Sequence, residues 1–207
     1  TSMNFTILEV SIVTFLLAVS GAVAQFPVGK ISDVYDRRKV IIASTFGAAI
    51  FAIIAIFVSG QMYLPDGLAT SKTWFYIFFI LFSFCSLPMF SLILAHTNDY
   101  ITKDKFVAAG AGLQFTFGLG AMSGPFLCSI FMDLVGSNGF FVFLFFFHSI
   151  IGIFGIHRMK VRQTVDNPDS QFVAMPQTIT PAGIELNPTT EPIAEPEKNE
   201  NILETKI

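Results

Sequence analysis

Charged side chains that could form and break ion pairs are concentrated in residues 29–39, between two long apolar runs. Asp33 is an acid at the edge of an apolar run, where it can pair with an arginine or face the positive end of a helix. Arg37 and Arg38 can each donate paired hydrogen bonds to a carboxylate or to carbonyls. Gly29 would allow a tight turn and the close approach of a neighbouring helix. The alternative interpretation is a basic loop that only sets membrane topology.

A second set of candidates consists of uncharged polar residues inside the apolar runs. His148 lies near the centre of residues 140–156, where it could contact a proton or a substrate, or could be a neutral histidine hydrogen-bonded within a helix bundle. Gln25 and Gln114 are candidates for lining a cavity, although such residues more often join helices by hydrogen bonds. The same two interpretations apply to Ser83, Ser86 and Thr116.

The apolar runs hold no cluster of residues typical of catalysis or metal binding. The nearest approach is His96 with Asp99, at the end of a run and without a third partner. Cys85 and Cys128, the two cysteines, both lie inside apolar runs, which argues against a disulfide scaffold. We therefore expect no enzymatic activity, no metal and no cofactor, and an integral-membrane enzyme is the less favoured alternative.

Long apolar helices must position these residues. Of the 207 residues, 53% are hydrophobic and only 13% are charged, about half the charged fraction of a soluble domain. Five runs match or approach the roughly 20 residues that cross a bilayer. They do not alternate apolar and polar residues, so helices are expected rather than barrel strands. The sequence predicts an all-α polytopic membrane bundle, with spans at about 5–26, 40–58, 74–95, 106–135 and 140–156.

Basic residues are distributed unevenly between the two sides of these spans. Nine lie in the segments on one side, and Lys72 alone lies on the other. Because short cytoplasmic loops carry an excess of Lys and Arg, this pattern places the N-terminus outside and the C-terminal tail in the cytoplasm. No basic stripe exists that could neutralise phosphates, so a nucleic-acid partner is not expected.

The composition changes after the fifth span. We predict a membrane bundle over residues 1–159 and a disordered, acidic cytoplasmic tail over residues 160–207. The tail is rich in Pro, Thr, Asn and Glu, so it cannot bury enough apolar area to offset the entropy of ordering. The alternative left open is that residues 172–184 dock on another surface.

Small residues recur in the fourth span. Gly120 and Gly124 are four residues apart, a spacing that lets two helix backbones pack closely. Pro125 follows and removes one backbone donor, which can kink a helix. These three residues predict either a helix-packing face or a flexible point in the span.

The segment at residues 29–39 resembles the signature loop of the major facilitator superfamily (MFS), with matches at Gly29, Ile31, Asp33, Arg37 and Arg38. Asp36 stands where that pattern usually has Gly, and Val34 where it often has Arg, as expected of the more degenerate second copy of the loop. The Gly-Pro pair in the fourth span is similar to a superfamily motif as well.

The resemblance covers residues 5 to about 159 and implies helices eight to twelve of a twelve-helix, bacterial-type transporter. It implies two six-helix bundles that alternate between outward-open and inward-open states around a small-molecule substrate. The expected partners are that solute, the lipid bilayer and the missing N-terminal half of the same transporter, and the expected location is the bacterial inner membrane. Ion or proton coupling is expected, and a non-transporting scaffold or receptor descended from a transporter is the alternative.

Overall fold

The computed structural model describes residues 5–61, 68–161 and 172–175. Within these ranges the chain forms α-helices and one short 3-10 helix, and it has no strand. The α-helices are α1 (Ile7–Val34), α2 (Arg37–Gln61), α3 (Leu68–Ser86), α4 (Met89–Asn98), α5 (Phe106–Val135) and α6 (Gly139–Val161), with the 3-10 helix Lys103–Lys105 preceding α5.

Five helical segments are long and apolar enough to cross a membrane, with α3 and α4 together forming the third. The predicted all-α membrane bundle is confirmed. The third crossing is divided at Leu87 and Pro88, because proline has no backbone N–H to continue the helical hydrogen bonding and its ring crowds the preceding turn.

The segment predicted to be a loop between the first two spans is almost entirely helical. α1 continues to Val34 and α2 begins at Arg37, so only Tyr35 and Asp36 separate them. Tyr35 is extended, with its N–H donating to Ile31 O. The expected tight turn at Gly29 is wrong, since Gly29 lies inside α1. The charged residues mark the edge of the apolar layer, but the helix continues past that edge because its backbone groups still bond one another.

The core of the bundle lies around α2, which packs against α3 and α6. Buried alanines on α2 meet aromatic rings on the other two helices, as in the contacts of Ala52 with Phe82 and of Ala55 with Phe75 and Phe141. Small side chains allow helix backbones to approach closely within a membrane. This core fixes the positions of the helix ends that carry the charged residues.

Two serines join α1 to α3 through the apolar layer. Ser20 Oγ donates to Ile80 O at 2.9 Å, and Ser83 Oγ donates to Leu17 O at 2.7 Å. The interpretation of Ser83 as a helix–helix hydrogen-bond partner is confirmed. The two bonds run in opposite directions, so they fix the register of α1 against α3.

Helix α5 is the least covered of the five crossings, and its most apolar stretch buries no residue. A Cβ added at Gly120 or Gly124 would meet no atom within 4 Å. The expected packing of another helix on these glycines is therefore not found in the described part of the chain. A different face of α5 exposes large side chains, namely Phe115, Leu119, Met122 and Phe126. Pro125 lies inside α5, which continues through it to Val135.

Candidate functional site

The charged end of the bundle is the end where α1 and α4 finish and α2 begins. Arg37, the first residue of α2, lies between two carboxylates there. Its Nη2 is 3.1 Å from Asp33 Oδ1 on α1, and its Nη1 is 3.3 Å from Asp99 Oδ1 after α4. One guanidinium on α2 therefore links the ends of α1 and α4. We call Asp33, Arg37 and Asp99 the clamp.

Burial differs among the three members of the clamp. The Arg37 side chain is 8% exposed and Asp99 is 13% exposed, whereas Asp33 is 34% exposed. Coulombic attraction strengthens as water is excluded, so the Arg37–Asp99 pair is the better shielded one. Asp33 is the member that water and other groups reach most easily.

A second ion pair lies beside the clamp. Arg38 donates to both carboxylate oxygens of Asp36, with Nη2 at 2.8 Å from Oδ2 and Nε at 3.1 Å from Oδ1. Asp36 Oδ1 also accepts the backbone N–H of Arg38 at 3.0 Å, which caps the start of α2. These hydrogen bonds, led by those from the Arg38 side chain, hold the pKa of Asp36 below its ordinary value. Asp36 therefore stays ionised at neutral pH and neutralises Arg38.

A cavity of about 230 Å³ opens next to this pair. It is lined by Arg38, His96, Thr97, Tyr100, Ile101 and Arg158. His96 stacks edge-on against Tyr100. The cavity lies at the charged end, and one of its basic side chains, Arg38, is already neutralised by Asp36.

Four residues of the predicted tail lie against the charged end. The backbone N–H of Phe172 donates to Asp33 Oδ1 at 2.7 Å. Ser91 on α4 forms two hydrogen bonds with Met175, donating to its O at 2.9 Å and accepting from its N at 3.1 Å. For residues 172–175, which we call the tail segment, these contacts favour the docking alternative over the expected disorder. The other predicted tail residues, apart from Lys160 and Val161 at the end of α6, lie outside the described residues.

Gly29 serves a different purpose from the one expected. A Cβ at this position would overlap the ring of Phe172. The close approach that glycine permits here is therefore made by an aromatic ring of the tail segment, and not by a neighbouring helix.

Both ring nitrogens of His148 form hydrogen bonds inside the bundle. Its Nδ1 is 2.8 Å from Leu144 O, and its Nε2 is 3.0 Å from Ser86 Oγ. Because a carbonyl oxygen only accepts, Nδ1 carries the proton and, in the neutral ring, Nε2 accepts from Ser86. Phe82 packs edge-on against the same ring. This arrangement favours the interpretation of a neutral structural histidine over that of a substrate contact.

The other polar candidates are placed on two helices. Gln114 on α5 has a buried Oε1 without a hydrogen-bond partner among the described residues. Thr116 is exposed and its hydroxyl donates to Gly112 O within its own helix. Gln25 is half-buried on α1. These side chains do not converge on one site within the described chain.

A larger apolar cavity of about 510 Å³ lies at the opposite end, between α1, α3 and the α5–α6 connection. It is lined mainly by Val10, Leu17, Phe75, Phe79, Met132 and Phe141. Beside it, Lys72 Nζ lies 2.9 Å from Glu9 Oε1, and Glu9 caps the start of α1 together with Thr6. The cavity itself offers apolar contacts and almost no polar partner.

Sequence reasoning missed three residues of the charged end. From the sequence alone, Asp99 is considered only as a possible partner of His96, although it is the more buried partner of Arg37. Asp36 was noted as a departure from a motif, although it neutralises Arg38. Ser91 gave no signal, since a serine inside an apolar helix usually bonds to its own backbone. In the described ranges, no group of His, Cys, Asp and Glu could hold a metal ion.

The family model of the Major Facilitator Superfamily matches residues 1–190, which is most of the chain. The chain belongs to the major facilitator superfamily. An uncharacterised MFS-type transporter of Yersinia enterocolitica is 26% identical over 160 residues, which cover 77% of this chain and 37% of that protein. The uncharacterised MFS-type transporter YfkF of Bacillus subtilis is 25% identical over 147 residues, covering 69% of this chain and 34% of YfkF.

The MFS chain therefore spans a little over a third of the length of the curated relatives it matches. No solved structure matches it. Membership and the five crossing segments make it a multi-pass membrane protein of a transporter family. The resemblance found at Gly29, Asp33 and the two arginines is confirmed at the level of the family.

Proposed function

We propose that this chain is the carboxy-terminal part of a secondary active transporter that moves a small solute by alternating access with ion or proton coupling. The observation that supports this most directly is the clamp. In this member of the superfamily, the buried Arg37 at the start of α2 forms ion pairs with carboxylates at the ends of α1 and α4. It lies in the segment that resembles the family's signature loop. We further propose that the charged end faces the cytoplasm of a bacterial cell, as the distribution of basic residues indicates.

The geometry of the clamp suits a contact that closes and opens. Its two carboxylates belong to different helical elements, so a shift of α1 relative to α4 must lengthen at least one ion pair. Each pair is partly shielded from water, which makes it stronger than a surface salt bridge. Asp33, the more exposed partner, can be released into water at lower cost. The clamp would therefore favour one arrangement of the helices without locking it.

The exposed surface of α5 supports the proposed missing half. A Cβ added at Gly120 or Gly124 would meet no atom within 4 Å, and on another face of the helix Phe115, Met122 and Phe126 are more than two-thirds exposed. Gln114 lies on the same helix, and its buried Oε1 is without a hydrogen bond. We propose that α5 faces the N-terminal half of the transporter and that Gln114 lies on the solute path. Pro125 would let the helix flex there.

Replacing Asp33 with Asn should slow transport by about tenfold, which corresponds to about 1.4 kcal/mol on the rate-limiting step. The amide oxygen can still accept hydrogen bonds, so the substitution removes charge and little else. The measurement is uptake into proteoliposomes that hold the complete transporter, with membrane insertion checked in parallel. Asp104→Asn, in the 3-10 helix, is the matched control. A normal rate in the Asp33 variant would contradict a gating role.

The transport proposal itself is tested with a panel of labelled small solutes, in vesicles with and without an imposed proton gradient. Gradient-dependent accumulation or release of a solute would support it. Failure of every solute to move, in protein that is inserted and folded, would favour the scaffold or receptor alternative. Turnover of a compound in detergent, without vesicles, would favour an enzyme.

A further inference from the structure

We infer that the charged end contains a groove between α1 and α4 that binds the chain's own tail segment, and that this docking holds the clamp closed. The effect on the clamp rests on the proposed transport function. The docking itself does not, and it is argued from contacts alone.

The α4 side of the groove recognises a peptide backbone. The Ser91 hydroxyl pairs with both the N–H and the C=O of Met175, so a single side chain satisfies both backbone groups of one residue. Ser91 is 1% exposed and Met175 is 7% exposed. The α4 side therefore binds the peptide through its main chain, as happens when a peptide is added to the edge of a sheet, but here the partner is a serine hydroxyl.

The α1 side of the groove recognises an aromatic residue. The Phe172 ring lies directly on Gly29 and packs on an apolar cluster formed by Ala24, Val28 and residues of α2 and α4. The Phe172 N–H donates to Asp33 Oδ1, the oxygen that also accepts from Arg37. The shape of the groove therefore depends on the absence of a side chain at Gly29, and its polarity depends on Asp33.

The tail segment and the clamp span the same pair of helices. Phe172 contacts α1 and Met175 contacts α4, while Arg37 links Asp33 of α1 to Asp99 after α4. Separation of α1 from α4 must therefore break both the clamp and the docked segment. Docking also supplies a second donor to Asp33, the clamp residue that is otherwise released most easily. The tail segment thus acts as a strap that favours the closed arrangement.

Photo-crosslinking tests the docking without any substrate. With benzoylphenylalanine in place of Phe172, illumination of the complete protein in proteoliposomes should give an intramolecular crosslink to the α1 peptide that contains Gly29. The same group in place of the exposed Ala174 is the matched control and should give at most a tenth of that yield. A crosslinked dimer would show that the groove takes the tail of a second copy. A crosslink to sequence outside this chain would show that the other half covers the groove, and either result would overturn the inference.

Cysteine labelling tests the effect on the clamp. In a background with Cys85→Ser and Cys128→Ser, Asn98→Cys introduces a buried thiol beside Asp99. Replacing residues 172–175 with Gly-Ser-Gly-Ser should raise its rate of maleimide labelling about fivefold, and Ser91→Ala should raise it in the same direction. Unchanged labelling in both variants would overturn the strap. If labelling rises as expected but neither form transports any solute, the proposed transport function fails and the strap stands.

Discussion

Replacing Arg37 with Met should destabilise the protein by about 3 kcal/mol, the cost of breaking a buried ion pair from one side. The methionine fills much of the volume, but Asp33 and Asp99 both lose the guanidinium with which they form ion pairs. The two carboxylates would then repel each other, and the ends of α1 and α4 would separate. The measurement is the free energy of unfolding in mixed detergent micelles, titrated with a denaturing detergent.

Lys39→Met is the matched control, since Lys39 is an exposed cation two residues further along α2. It should change the free energy of unfolding by less than about 0.5 kcal/mol. Arg37→Lys should fall between the two, because an ammonium keeps the charge but lacks the planar guanidinium whose two terminal nitrogens form ion pairs with Asp33 and Asp99. Equal stability of the Arg37→Met and Lys39→Met variants would show that the clamp contributes nothing to the fold.

Replacing Gly139 with Ala should cost about 3 kcal/mol, the upper end of the usual range for overpacking. Gly139 is the first residue of α6 and is buried in the tight connection from α5. A Cβ added there would overlap the Phe131 carbonyl group and lie 2.6 Å from Met132 Cα. Since those atoms are backbone, no side-chain rotation relieves the overlap, and the ends of α5 and α6 must move apart.

Gly118→Ala on α5 is the matched control, because a Cβ there meets nothing within 4 Å. Alanine favours helix over glycine by about 1 kcal/mol, so this variant should be as stable as the parent or more so. The two alanine variants therefore have opposite expected signs in the same unfolding titration. A stable Gly139→Ala variant would mean that the α5–α6 connection is looser than the structure shows.

The membrane fold could be predicted from the sequence because lipid imposes a simple requirement. Any segment that crosses the hydrocarbon layer must satisfy its backbone internally and present apolar side chains, so the five crossings are visible in composition alone. The residues at which the helices end could not be predicted from composition. Residues 29–34 look like a loop because they carry charge, yet they remain helical to Val34.

The candidate site was predictable in part. Asp33 and Arg37 were identified by their chemistry and by their place in a family-like segment, but Asp99 required knowledge of which helix ends meet. Docking of the tail segment could be expected only as an alternative, for residues 172–184, and its contacts could not be predicted. Much of its docking is through the backbone groups of Phe172 and Met175, and backbone groups are the same in every sequence. Composition therefore indicates disorder for the tail as a whole and does not identify which short stretch is bound.

The position of the tail segment in the chain has a consequence for biogenesis. Residues 172–175 follow α6, so they leave the ribosome only after every crossing helix described here has been synthesised. Their binding site at Gly29 and Ser91 is formed by the first and third crossings, which precede them in the chain. Binding of the segment thus requires that translation has passed α6, and a nascent chain truncated before Phe172 would leave that groove open to chaperones or proteases.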